Sequence, residues 1–286
     1  MELMSIGNQV PQDRMEYVAL HPLRPLFVDI GGVNLLNWLG LDWVSLTITV
    51  SSVFVAGVIR GYSGFGFAMV AVTSIALVLP PVQVVPTVLI LEVLASLRLV
   101  PQVWRDIDWR SLRWLLAGSL LAVPLGVYLL ANTPAEPMRI SISLLVLVAA
   151  VSLIRGWAWR RMPGRSWIFS AGVASGILNG AAAIGGPPVI LLYLSSPAGI
   201  TVSRASIIAY FFAIDAISLA MSSVQGLITS GTLKTTAVCL LPLLFGIGIG
   251  SRMFIKVEKD AFRRHVLILL IILSIAGLLR SLFSLS

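Results

Sequence analysis

Long apolar runs with short polar connections cover the chain from Trp43 almost to its C-terminus. A helix needs roughly 20 mostly apolar residues to cross the hydrocarbon core of a bilayer. Ten apolar segments, several of them shorter than this, are predicted at 43–58, 65–79, 84–104, 112–130, 140–154, 167–178, 187–194, 205–224, 235–249 and 265–283. The pattern predicts an all-α integral membrane protein with about 8–10 transmembrane helices, some broken or re-entrant.

The first 42 residues mix charges, prolines and apolar residues, and they lack the pattern of a cleaved signal peptide. We expect a retained tail, in which residues 35–41, with Trp38, are apolar enough to lie along the membrane surface but too short to span it. The expected organisation is a tail at 1–42, a first transmembrane repeat at 43–154, a cytoplasmic basic loop at 155–166 and a second transmembrane repeat at 167–286.

The composition agrees with a membrane protein, because 58% of the residues are hydrophobic and only 11% are charged, against roughly 25% in soluble domains. The net charge of +8 comes from basic residues in short loops, so we expect no nucleic-acid partner. Cys239 is the single cysteine, and the two histidines, His21 and His265, are isolated in sequence. We therefore expect no disulfide, no metal site and no cofactor.

A weak internal repeat divides the apolar part of the chain. At a spacing of 119 positions, Gly57, Gly61 and Gly66 match Gly176, Gly180 and Gly185. At spacings of 123 and 124, Glu92 matches Asp215, Gln102 matches Gln225, Gly126 matches Gly250 and Arg139 matches Arg263. Matches that keep their order while the offset drifts are typical of a diverged duplication. We predict two five-segment halves.

Basic residues in short loops predict the orientation, because cytoplasmic loops carry the excess of Lys and Arg. With the N-terminus outside, 14 basic residues are assigned to the cytoplasm: Arg60, Arg105, Arg110, Arg113, Arg155, Arg160, Arg161, Arg165, Arg204, Arg252, Lys256, Lys259, Arg263 and Arg264. Five are assigned outside: Arg14, Arg24, Arg139, Lys234 and Arg280. The first two segments of each half are either two spans or one re-entrant hairpin, and both arrangements make the halves inverted repeats.

Glycine-rich breaks at matching positions of the two halves, 61–66 and 179–188, mark the predicted substrate site. A broken helix leaves unpaired backbone N–H groups at a helix start, and these favour an anion. The predicted lining residues are Ser63, Gly64, Gly66, Asn179, Gly185 and Gly186. In the alternative interpretation, the spaced glycines from Gly57 to Gly61 and from Gly172 to Gly180 only provide small faces for close helix packing.

Two acidic residues, Glu92 and Asp215, lie in the middle of apolar segments, where a charge is costly. They are predicted proton carriers, with the alternative that each is protonated or hydrogen-bonded and serves only packing. Arg98 lies six residues after Glu92, nearly opposite in helical phase, so the two need not pair. Arg98 is expected to extend its side chain to the cytoplasmic interface.

The remaining motifs argue against other classes of function. The loop 155–165 interleaves Trp and Arg, which is typical of anchoring at the cytoplasmic membrane interface. The sequence contains no Walker-type phosphate loop and no paired aspartates, Ser/His couple or His/Glu ligand set within the apolar segments. We therefore expect that the protein is not an enzyme.

The two glycine clusters, and Gly176-Ile-Leu-Asn-Gly180 followed by Ile184-Gly-Gly-Pro-Pro-Val189 in particular, resemble the sulfite exporter TauE/SafE family of membrane transporters. The similarity covers residues 53–282. This resemblance implies secondary transport of small sulfur-containing or carboxylate anions, such as sulfite, sulfoacetate or related organosulfonates.

The main hypothesis is therefore a multi-pass transporter of the inner (plasma) membrane that exports a small anion by alternating access. Its expected partners are the anionic solute and the lipid bilayer, and a homo-oligomer is left open. One alternative is a passive anion channel, which would show flux without saturation. The other is a membrane-embedded enzyme or assembly factor, whose activity would survive in detergent without any directed flux.

The orientation can be tested by cysteine labelling of intact and permeabilised cells. Because the positive-inside rule assigns 155–166 to the cytoplasm, cysteines placed at 156–164 should react only from the cytoplasmic side. Cysteines placed at 132–137 should react only from outside. Labelling of both loops from the same side would contradict the inverted arrangement of the halves.

Overall fold

A computed structural model of the chain describes residues 29–30, 33–63, 65–97, 100–154, 163–194, 199–253, 268 and 271–281. The chain divides into two compact units, Met1–Leu41 and Asp42–Ser286. In the first unit, strands β1 (Asp29–Ile30) and β2 (Val33–Asn34) pair antiparallel, and helix α1 (Leu35–Leu39) follows.

The second unit is helical throughout its described residues. Its elements are α2 (Trp43–Ser63), α3 (Phe67–Ile75), α4 (Pro81–Leu97), α5 (Val100–Val103), a 3-10 turn (Trp104–Asp106), α6 (Trp109–Asn132), α7 (Ala135–Ile154), α8 (Arg165–Ala182), α9 (Gly186–Leu194), α10 (Gly199–Val224), α11 (Ser230–Met253) and α12 (Ile271–Ser281). Among the described residues, five helices are long and apolar enough to cross a membrane: α2, α6, α7, α10 and α11. This confirms the prediction of a multi-pass helical membrane protein.

The first two segments of each predicted half form one long helix followed by a half-length helix. Helix α3 and helix α9 have nine residues each, which corresponds to about 13 Å, less than half of a hydrocarbon core about 30 Å thick. The predicted first segments, 43–58 and 167–178, were too short, because α2 continues to Ser63 and α8 continues to Ala182. Glycine does not end these helices, because close packing against a neighbouring helix compensates for its low helix propensity.

Large apolar side chains cover the exposed faces of the helices, and small polar side chains are buried between helices together with the apolar core. On α6, Leu120, Leu121 and Leu125 are exposed, with Leu121 at 73%, whereas Ser119 on the same helix is completely buried. Many other buried polar residues are serines and threonines. This distribution suits a protein surrounded by lipid, where small polar side chains hold helices together.

Helices α2 and α11, one from each predicted half, pack closely and in parallel. Gly57 on α2 faces Leu243 and Gly246, and further along Tyr62 meets Gly250. A Cβ atom on Gly57 would lie 3.0 Å from the Leu243 carbonyl oxygen. The two backbones therefore approach this closely because glycines at the contact leave no side chain between them.

Helices α6 and α8 form the second close parallel pair, again with one helix from each predicted half. Gly176 on α8 faces Ser119 on α6, and Gly180 faces Val123 and Gly126 further along. A Cβ atom on Gly176 would lie 2.7 Å from the Ser119 carbonyl oxygen. These glycines therefore lie at close helix contacts, as the alternative interpretation of the sequence predicts.

Side-chain carboxylates define two helix starts and one helix contact. Asp42 accepts hydrogen bonds from the backbone N–H groups of Val44 and Ser45 at 3.1 and 3.3 Å, which caps α2. Asp108 caps α6 in the same way. At the start of α7, Arg139 pairs with Glu136 and donates to backbone carbonyls in the turn between α3 and α4.

Two glycines of α11 provide a matched test of the close helix packing. A Cβ atom at Gly250 would collide with the Val58 carbonyl and lie 2.9 Å from the Tyr62 nitrogen. A Cβ atom at Gly248 would meet no atom of another described helix within 4 Å. Gly250→Ala should destabilise the protein by about 1–3 kcal/mol through overpacking. Gly248→Ala should be neutral or stabilise it by up to about 1 kcal/mol through helix propensity. Thermal unfolding in detergent would measure both, and equal shifts would contradict the packing role of Gly250.

Candidate functional site

A small cavity lies where the breaks after α2 and α8 approach helices α4 and α10. Its polar lining comes from Arg60, Glu92 and Asp215, and Gly66 and Gly186 contribute backbone. The cavity volume is about 20 Å³, enough for about one water molecule. Among the described residues, no group of three or more His, Cys, Asp or Glu side chains is placed to hold a metal ion.

The chain breaks at the two halves have different backbone geometry. Gly66 precedes α3 with a φ of 89°, a conformation that glycine adopts without strain. No side chain caps this helix start. Ala183 ends α8 with a φ of 55°, and its N–H donates to the Asn179 carbonyl at 2.8 Å. Both breaks place a helix end beside the cavity.

An ion pair occupies the side of the cavity formed by the first half. The Arg60 guanidinium pairs through Nη1 with Oε2 of Glu92 and donates through Nη2 to the Ser96 hydroxyl at 2.6 Å. Arg60 is 3% exposed and Glu92 is 5% exposed. The other carboxylate oxygen of Glu92 accepts the backbone N–H of Ala68, in the first turn of α3, at 3.2 Å. Arg60 Nε is buried and has no hydrogen-bond partner among the described residues.

On the side of the second half, the acid is held by an amide instead of a cation. Asn179 donates through Nδ2 to Asp215 at 3.0 Å and to the Ser218 hydroxyl at 3.1 Å. Its Oδ1 accepts the backbone N–H of Gly185 at 3.1 Å. The Ser175 hydroxyl donates to the carbonyl of the same glycine. Asp215 is 2% exposed.

Hydroxyl groups connect this second cluster to the packed helices. Tyr210 on α10 donates to Ser175 on α8 at 2.7 Å and lies 2.6 Å from the Ser119 hydroxyl on α6. Ser119 in turn contacts the Gly172 carbonyl at 2.9 Å. Three helices are therefore joined through buried hydroxyls next to Gly185, which makes this side of the cavity polar but uncharged apart from Asp215.

The two clusters occupy matching positions in the sequence. Arg60 and Asn179 are separated by the 119 positions that also separate the glycine pairs, and Glu92 and Asp215 are separated by 123. In each half, the residue before the chain break therefore holds the acid of a later helix. The arrangement is the same, but the partner of the acid is charged in the first half and neutral in the second.

The predicted site residues fall into three groups. Gly66, Gly186, Glu92 and Asp215 line the cavity, and Asn179 and Gly185 lie directly behind it in the hydrogen-bonded cluster. Ser63 is the last residue of α2, but its side chain lies outside the described residues. Gly64, Arg98 and the loop 155–162 also lie outside them.

Arg60 is the site residue for which the charge pattern predicts the wrong place. The pattern assigns it to a cytoplasmic loop, but it lies inside α2 and is buried against Glu92. The prediction failed because α2 extends to Ser63, and because a partner on another helix compensates the charge. The 119-position spacing pairs Arg60 with Asn179, and this signal could have identified it. The cytoplasmic tally falls from 14 to 13, still above the five outside.

The two half-length helices do not offer the same anion-binding groups. The first turn of α3 contains Phe67, Ala68 and Met69, each with a backbone N–H. The first turn of α9 contains Pro187 and Pro188, which have none. Helix α3, next to Arg60, is therefore the helix start with the stronger attraction for an anion.

The chain matches known proteins over most of its length. The family model described as "Sulfite exporter TauE/SafE" matches residues 49–277. A Cupriavidus necator protein named "Probable sulfite/organosulfonate exporter TauE" is 26% identical over 197 residues, which cover 66% of this chain and 77% of that protein. No solved structure matches the chain.

Removal of one partner of the buried ion pair should destabilise the protein. Arg60→Met leaves Glu92 without its cation, and breaking a buried pair typically costs about 3–5 kcal/mol. The double change Arg60→Met with Glu92→Leu removes both charges and should recover most of that loss. Thermal unfolding of the purified variants in detergent measures the coupling. Additive losses in the double variant would show that the two charges do not depend on each other.

Proposed function

This chain belongs to the sulfite exporter TauE/SafE family, and from that premise we propose that it is a secondary transporter of small sulfur-containing or carboxylate anions. It works by alternating access in the inner membrane. The relative from Cupriavidus necator is named as a sulfite/organosulfonate exporter, so sulfite and organosulfonates are the first substrates to test.

The observation that carries the proposal is a buried cation beside an uncapped helix start. Arg60 is enclosed within the membrane-spanning unit, and the N–H groups of α3 lie on the same side of the cavity. Charge-assisted hydrogen bonds from a guanidinium are strong and suit oxyanions, since two N–H groups can contact two oxygens. A charged residue within a membrane-spanning helix generally marks a substrate or ion pathway.

Alternating access is proposed because the cavity is too small for the substrate. A volume of about 20 Å³ holds about one water molecule, so sulfite or a sulfonate enters only when the helices around the cavity separate. We propose that the two halves are inverted repeats that rock against each other around this site. The matching positions of the Arg60–Glu92 and Asn179–Asp215 pairs support that symmetry.

In this proposal the residues of the site have separate tasks. Arg60 and the backbone near Gly66 bind the anion, together with Ser63 and Gly64 at the same break. Asn179, Gly185 and Gly186 form the opposite wall. Glu92 and Asp215 carry protons, because a carboxylate at this depth is stable only when it is paired or protonated. Coupling to protons would distinguish the carrier from a passive channel.

The function is tested by reconstitution of the purified protein into liposomes. Uptake of sulfite, sulfoacetate, taurine and simple carboxylates would be compared with and without a pH gradient, using protein-free liposomes as the control. Saturable uptake of one or more of the anions supports a carrier. Flux that never saturates supports a channel, and absence of flux for the whole panel contradicts anion transport.

The proton-carrier role predicts a specific defect in the double variant Glu92→Gln with Asp215→Asn. Both changes keep the shape and hydrogen-bonding capacity of the side chain but remove its titration. Accumulation driven by a pH gradient should be lost, while exchange of anion across the membrane at equal pH should remain. Measurement of both modes in the same liposomes separates loss of coupling from loss of folding. Unchanged gradient-driven accumulation would eliminate both acids as proton carriers.

A further inference from the structure

We propose that Glu92 is a built-in occupant of the anion site, which holds Arg60 and the start of α3 until a transported oxyanion displaces it. This inference rests on the proposed function and adds the chemistry of recognition at the same site. It makes Glu92 a specificity-determining residue, because an anion must compete with a tethered carboxylate for the same two partners.

The contacts of Glu92 are those expected of a bound anion. One carboxylate oxygen pairs with the Arg60 guanidinium, and the other accepts the backbone N–H of Ala68 at 3.2 Å. The N–H belongs to the first turn of a helix whose start has no side-chain cap. A guanidinium matches the geometry of an oxyanion, and a helix N-terminus offers backbone N–H groups and the positive end of a dipole to an anion. The carboxylate bridges both.

The site also has a hydrogen-bond donor that Glu92 does not contact and that a ligand could use. Arg60 Nε is completely buried, lines the cavity through its side chain and has no hydrogen-bond partner among the described residues. A buried donor without a partner costs free energy, and this favours a ligand that reaches it. An oxyanion with three oxygens, such as a sulfite or sulfonate group, can contact both the guanidinium and the Ala68 N–H.

The second half shows why this role falls to Glu92 and not to its counterpart. Asp215 is held by the Asn179 amide, and α9 begins with two prolines that lack N–H groups. Displacement of Asp215 would free a neutral amide. Displacement of Glu92 frees a guanidinium and a helix start together, and only this pair attracts an anion strongly.

The geometry points to a substrate class. A ligand that replaces a carboxylate across two partners needs at least two oxygens on one atom, as sulfite, sulfonates and carboxylates have. A halide is a single atom, so it cannot place two separate oxygens against the guanidinium and the Ala68 N–H as a carboxylate does. We therefore expect competition for the site among oxyanions and weak competition by chloride.

The test measures anion affinity of the purified protein in detergent by titration calorimetry, with sulfoacetate and sulfite as probes and chloride as the halide. Glu92→Gln removes the competing charge and keeps the side-chain shape, so it should bind the oxyanion at least about tenfold more tightly than the parent. Arg60→Gln should lose measurable binding. Glu92→Asp keeps the charge but is one methylene shorter, so we expect it to bridge the two partners less well and to bind the oxyanion more tightly than the parent, though less tightly than Glu92→Gln.

Glu136→Gln is the matched control, because Glu136 also pairs with an arginine, Arg139, but does not line the cavity. The oxyanion affinity of the Glu136→Gln variant should equal that of the parent protein. If Glu92→Gln is too unstable for titration, the oxyanion affinity of Glu92→Asp decides whether Glu92 competes with the anion. Parental affinity in both Glu92 variants, with transport intact in the parent, would overturn this inference alone. A parent that neither binds nor transports any oxyanion would overturn the proposed function, and this inference with it.

Discussion

A buried charge within a membrane-spanning helix must have a partner, and in this protein that requirement joins Arg60 on α2 to Glu92 on α4. The hydrocarbon around the helices cannot solvate either group, so the helices that carry them are held in one register. The same pair positions the start of α3, because Glu92 also accepts the Ala68 N–H. The cavity, the chain break and the cation therefore depend on one another.

The framework that brings these groups together is built from close backbone contacts. Helix α2 packs on α11 and helix α8 packs on α6, each time through glycines that leave no room for a side chain. In lipid, apolar side chains gain little by moving from the bilayer to a helix interface, so tight packing and buried hydroxyls supply the attraction. Each pair combines the two predicted halves. The proposed alternating access would therefore have to preserve these pairs or let their helices slide along each other.

The two sides of the cavity have the same arrangement and different chemistry. Asn179 holds Asp215 where Arg60 holds Glu92, and prolines replace the N–H groups at the start of the second half-length helix. A duplicated architecture can keep its geometry while one copy alone provides the charge for the substrate. The sequence repeat predicted equivalent acids in both halves, and the same spacing relates Arg60 to Asn179. That these two residues contact the acids follows only from the packed structure.

Composition and the length of the apolar runs alone determined the helical membrane class, because lipid imposes a minimum length and a low charge on every spanning helix. The family was also recognisable from the glycine clusters at 61–66 and 176–189. The end of α2 and the placement of Arg60 were decided by tertiary structure. A glycine in the sequence predicts a helix break, but here a neighbouring helix packs against it and the helix continues. An arginine in the sequence predicts a loop, but here a carboxylate from a distant segment pairs with it inside a helix. Both compensations come from residues far away in the chain, so no local pattern could report them.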